Sequence, residues 1–122
     1  MTDEEDLERL RHHVEAALEY SGGTHGIEDI AEGLRTGRFQ LWPGETSVVV
    51  TEIIVYPRLK NLHFFLAGGD LDELRLMQPL IESWGKDMGC SRVSLAGRRG
   101  WERTFLRDRG YEPKWFVLCK DL

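Results

Sequence analysis

Cysteine is scarce in this chain. There are two, Cys90 and Cys119, far apart and each set among apolar residues. No Cys-x-x-Cys motif and no cysteine–histidine pair has the spacing of a metal site, so no metal is expected. Both thiols read as buried groups in a reducing compartment. The four histidines offer no alternative: His12 and His13 are adjacent and should point about 100° apart on a helix, and His25 and His63 are isolated. No apolar run approaches the ~18 residues that a spanning helix needs. The opening Met-Thr-Asp-Glu-Glu-Asp has neither a basic region nor an apolar stretch, so no secretory leader is expected. Repeats, low-complexity runs and linkers are also missing. The 122 residues are therefore expected to form a single domain, 1–122, and 41% hydrophobic with 30% charged residues excludes disorder and membrane burial.

The net charge of −5 is unevenly spread. Residues 1–37 hold ten acids against three arginines, whereas residues 92–114 hold seven basic groups against three acids. Such opposed ends are either solvated faces or two complementary contact surfaces. At this net charge nucleic acid is not an expected partner, although a local patch could hold phosphate.

The hydrophobic period gives the element order. Leu7, Leu10, Val14, Ala17 and Leu18 recur at helical steps, Thr2 with Glu5 forms a capping box, and Gly22-Gly23 stops the helix. Ile27, Ile30, Ala31 and Leu34 mark a second helix. Residues 39–42 read as a short strand closed by Pro43-Gly44. Residues 47–56 are β-branched and apolar on both faces, which predicts a central strand covered on both sides. Residues 62–66 follow after so short a turn that the two must be antiparallel. Asp70 and Glu73 read as another capping box, opening a helix marked by Leu74, Met77, Ile81, Trp84 and Met88 and kinked at Pro79. Residues 91–96 form a strand reached by a parallel crossover. Residues 101–109 form a short helix stopped by Gly110, and residues 115–119 form the last strand. Helix, helix, three strands, helix, strand, helix, strand is most simply an α/β fold, one mixed sheet of about five strands with about four helices on both faces.

This order resembles the GNAT acyltransferase superfamily over about residues 4–119, without the family's initial strand and with its closing hairpin cut to one strand. The stretch 97–113, with Arg107-Asp108-Arg109-Gly110-Tyr111, carries the resemblance most clearly. The sequence is also similar to small GNAT-like proteins of tailed phages and prophages, through Gln40-Leu41-Trp42 and through Gly97, Arg98, Gly100 and Trp101. The resemblance implies acetyl-CoA as cofactor and places its diphosphate on the amides around Gly68 and Gly69. It also implies Tyr111 as the acid that returns a proton to the departing thiolate.

The residues themselves argue the other way at the cofactor. A diphosphate site needs glycines for close approach, a free helix N-terminus and no competing anion. Gly68 and Gly69 are present, but the family's arginine is not, and Asp70, Asp72 and Glu73 crowd the helix tip. Glu52, the only acid in the central apolar strand, is either a general base or the partner of a buried Arg or Tyr, as in an ion pair, and Thr51-Glu52 could equally face solvent at a bulge. Arg98 and Arg99, opening a helix after a strand, could bind a carboxylate or phosphate, with Trp101 as a contact anchor. In the bland reading of that loop, Gly100 gives a tight turn, Trp101 packs in the core and the arginines are solvated or paired with the acidic first helix. Three functions remain in view. One is a fold that has lost acetyl-CoA and serves as a structural or interaction component, in a virion or its assembly, with a protein partner or self-assembly. The others are a divergent N-acyltransferase and a small host-modulating binding protein. The expected location is the host cytoplasm or the virion.

Overall fold

The computed structural model describes residues 2–122. Helices α1 (Asp3–Arg9), α2 (Arg11–Leu18) and α3 (Ile27–Thr36) lead into strands β1 (Phe39–Pro43), β2 (Ser47–Val55) and β3 (Lys60–Gly69). Helix α4 (Leu71–Asp87) crosses to β4 (Arg92–Leu95), after which come a 3-10 turn (Arg99–Arg103) and α5 (Phe105–Asp108). The strands lie in the order β1-β2-β3-β4, antiparallel except for the parallel pair β3 and β4.

The two apolar faces of β2 divide the core as its sequence predicts. Val48 and Val50 point to one side, where Leu10 and Val14 from the first two helices and Ile30 of α3 close over them. Val49 points to the other, against Leu74 and Ile81 of α4 with Leu62 and Phe64 of β3. Ile30 and Val14 are 0% exposed, and each such side chain contributes about 1.5–3 kcal/mol on burial. Thr51 is also fully buried, so it does not face solvent. It receives the Trp42 indole N–H at 2.9 Å and donates to Gln40 Oε1 at 2.8 Å, which satisfies its hydroxyl inside the sheet.

Several expectations need correction. The first helix is two, broken at Leu10. Next to that break the Arg9 guanidinium donates to the carbonyls of Gly44 and Glu45 at 2.9 and 2.8 Å, a tertiary contact that the helical period does not encode. The helix expected over residues 101–109 is a 3-10 turn followed by a single α-turn. Met88, just past the end of α4, is exposed rather than part of the core face. The His12 and His13 rings do not diverge: their centroids are 3.9 Å apart. The sheet has four strands among the described residues, not five, because residues 115–119 join no strand there and Trp115, Phe116, Val117 and Leu118 are exposed. Cys119 in that segment is therefore exposed, while Cys90 is half-buried against the α4 side of the core.

Candidate functional site

β3 and β4 pair only from Asn61 opposite Arg92 to Phe64 opposite Leu95. Beyond that point β4 ends, and its chain leaves through Ala96 and Gly97 while β3 continues to Gly69. β3 also carries an extra residue there. Thr51 faces Phe64 and Val50 faces Leu66, so Phe65 is the added residue of a bulge. The parting strands open a cleft of about 500 Å³, walled by β3, the C-terminal part of α2 and the loop after β4.

The cleft gathers some of the residues singled out from the sequence and leaves others outside. Gly68, Gly69, Arg98 and Trp101 line it. The Arg98 guanidinium lies 4.0 Å from the centroid of the Tyr20 ring, a cation–π contact that ties the loop after β4 to the end of α2. Trp101 is half-buried, packing against the α4-side core as well as facing the cleft. Arg99 is exposed outside it. Glu52 is not in the lining; its carboxylate sits 3.5 Å from Arg38, the ion-pair arrangement of the two read from the sequence. Tyr111 lies on the opposite side of the sheet, in a small pocket against α4. Its hydroxyl donates to Glu82 at 2.9 Å and accepts from Gln78 at 3.2 Å. Burial, with the nearby charge of Glu82, pushes this phenol above its usual range.

Sequence reasoning missed His63. It stands in the cleft, and its Nδ1 is 2.9 Å from Ser94 Oγ, which also accepts from Asn61 Nδ2 at 2.8 Å. Burial lowers its pKa below 6.5, partly offset by the charge of Glu52 directly across the β2–β3 ladder. Burial thus favours the neutral imidazole, the form a proton acceptor needs. The hairpin that brings the two residues together is closed by the Tyr56 N–H donating to the Leu59 carbonyl at 2.9 Å, and its register places Glu52 opposite His63.

At the start of α4 the acids divide their work. Asp70 caps the helix, accepting the Asp72 N–H at 3.0 Å, while its own N–H donates to Ser47 Oγ at 2.8 Å. Glu73 does not complete a capping box. It reaches to the β1–β2 turn and accepts the N–H groups of Glu45 and Thr46 at 2.8 and 3.0 Å. Gly68 packs so closely on α2 that a Cβ would come within 2.9 Å of the His13 carbonyl oxygen. Gly69 has φ of +114°, a conformation that side chains disfavour.

No protein-family model matches the sequence, and no curated protein matches it. Solved structures do. Wild-type TTHA1254 from Thermus thermophilus superposes with a TM-score of 0.68 at 18% identity, over 99% of this chain and 93% of that one. A possible acetyltransferase from Clostridium difficile gives 0.68 at 10% identity, over 99% and 94%. An acetyltransferase from Trypanosoma brucei gives 0.62 at 13% identity, over 91% and 94%. The fold is GNAT-like. Within this GNAT-like fold the helices cover both faces of the mixed sheet, as the element order predicts. Among the described residues no cluster of His, Cys, Asp and Glu could hold a metal, and no helix is long and apolar enough to cross a membrane.

Proposed function

We propose that this chain is a GNAT-fold protein that does not hold acetyl-CoA and works as a structural or interaction component. The observation that carries this reading is the tip of α4. An incoming diphosphate would meet amides that already have partners, with the Asp72 N–H on Asp70 and the Asp70 N–H on Ser47. It would also meet the exposed carboxylates of Asp70 and Asp72 and no arginine in the Leu66–Asp72 stretch. Each carboxylate opposes a nearby phosphate by about 1 kcal/mol or more at the surface. The Gln40-Leu41-Trp42 and Gly97-Arg98-Arg99-Gly100-Trp101 motifs, with their resemblance to small phage and prophage proteins, support a role in a virion or its assembly.

The test is thermal unfolding with and without millimolar acetyl-CoA. A native-state ligand must raise Tm by mass action, so an unchanged Tm is expected, and a rise of several degrees overturns the reading. A divergent N-acyltransferase is the second reading, favoured by one observation: a neutral His63 in the cleft is placed to take a proton from an amine.

A further inference from the structure

The last residues of the chain carry a strand sequence without a strand's partners. Residues 115–119 are Trp-Phe-Val-Leu-Cys, aromatic and β-branched in the manner of a sheet strand. In the single chain they touch almost nothing: Trp115 is 70% exposed, Phe116 78%, Val117 79% and Leu118 95%. No backbone hydrogen bond among the described residues reaches past Tyr111. The sheet has the matching deficiency at β4. Among the described residues this strand pairs with β3 alone, so its outer row of N–H and C=O groups is open. None of its residues is fully buried, although β1, β2 and β3 each contain buried ones.

The charges show the same lack of partners within one chain. Among the described residues the ion pairs of Arg9, Arg11 and Arg35 stay within the acidic first third. The remaining two join Arg38 to Glu52 and Lys114 to Glu112. Arg92, Arg98, Arg99, Arg103 and Arg107 have no carboxylate partner among these residues, so the arginines are not paired with the acidic first helix. A second copy supplies every complement at once: an open strand edge for the tail, a tail for the open edge, and an acidic end for the basic one.

We propose that the chain forms a twofold homodimer in which residues 115–119 of each copy add as a strand to the open edge of the other copy's β4. The symmetry closes the arrangement, because each copy gives and receives the same element. The area is sufficient. Aromatic side chains bury about 150–250 Å² each, so Trp115 and Phe116 of two tails, four rings in all, remove on the order of 600–1,000 Å² before the receiving surfaces are counted. A stable interface needs about 1,200–2,000 Å² in total. This names the partner in the interaction reading above and rests on that reading. The two fail separately, since cofactor binding is read by Tm and dimerisation by mass.

The experiment is sedimentation equilibrium of the full chain up to about 100 μM, with hydrogen exchange on the same samples. The double variant Phe116→Asp/Leu118→Asp alters side chains that are largely exposed in the single chain, so its circular dichroism should be unchanged. The wild type should be dimeric, with the β4 amides protected. The double variant should dissociate at least about 100-fold more readily, having lost two buried anchors. Val117→Pro keeps the apolar character but removes a backbone N–H and disfavours sheet pairing around it, and it should also weaken the dimer if the tail adds as a strand. A wild-type monomer at the highest concentration overturns the proposal. So does a dimer that survives both variants, or one that protects the outer α4 residues Leu76 and Leu80 while β4 stays open.

Discussion

Glu73, in the first turn of α4, accepts the backbone N–H of Thr46 at 3.0 Å in the turn between β1 and β2. The same carboxylate takes the Glu45 N–H at 2.8 Å, so one side chain fastens the helix entry to the hairpin. The nearby Ser47 hydroxyl and these two N–H groups hold its pKa below the usual 4.5. Ionised Glu73 is preferred in the folded chain, and its contribution is therefore present above pH 4.5 and lost as the pH falls further. Glu73→Gln should lower Tm at pH 7, and the gap to wild type should close on acidification below 4.5. A gap that stayed constant with pH would show that the charge is irrelevant to the fastening.

Gly33 predicts a loss from a substitution that usually helps a helix. It lies buried in α3, and a Cβ there would come within 2.6 Å of Phe39 Cε2. Phe39 has little room to retreat because its ring stacks on Phe65, with centroids 5.3 Å apart. Alanine brings about 1 kcal/mol of helix propensity, but overpacking of this kind costs about 1–3 kcal/mol. Gly33→Ala should therefore destabilise by up to about 2 kcal/mol in urea unfolding. Gly100→Ala, with nothing within 4 Å of the added methyl, should be close to neutral.

How much of this was legible in the sequence depended on whether the deciding contact was local. β2 was legible because two apolar faces in one run leave no alternative to a strand covered on both sides, and Val48 and Val49 do fall in different halves of the core. The break at Leu10 was not, since no glycine or proline marks it and Arg9 reaches a turn more than thirty residues away. Gly68, Gly69 and Arg98 could be named from motif alone. The cleft that joins them could not, because it exists only where β3 bulges at Phe65 and β4 stops at Leu95. The 115–119 segment shows the limit of propensity. The sequence states that it suits a strand, and says nothing of which edge is free to receive it.

His63 gives a pH dependence of its own. Burial lowers its pKa below 6.5, so on acidification the unfolded chain takes up the proton first. Stability should then fall as the pH drops below 6.5. His63→Gln should remove that slope. The charge of Glu52 works against burial, so Glu52→Gln should move the His63 titration, followed by NMR, to still lower pH. A His63 that titrates at or above 6.5 in the wild type would contradict the placement of a neutral ring beside Ser94.

Tyr111 should matter to stability at the other end of the pH scale. Its hydroxyl bridges Gln78 and Glu82 on α4, and Gln78 Oε1 in turn accepts from Arg109 at 2.6 Å, so one chain of hydrogen bonds fixes the end of α5 to the helix. Gln78 is buried, and losing its phenol partner leaves an amide proton without an acceptor. Tyr111→Phe should destabilise by about 1–3 kcal/mol near neutral pH. Burial first, and then the Glu82 carboxylate, keep the folded phenol protonated beyond its ordinary value of 10.0. The unfolded chain ionises earlier, so the wild type should lose stability as the pH rises above 10, whereas the Phe variant should lack this component. Urea unfolding on either side of pH 10 measures both effects. Equal alkaline slopes in the two proteins would mean that the Tyr111 hydroxyl is not held between Gln78 and Glu82.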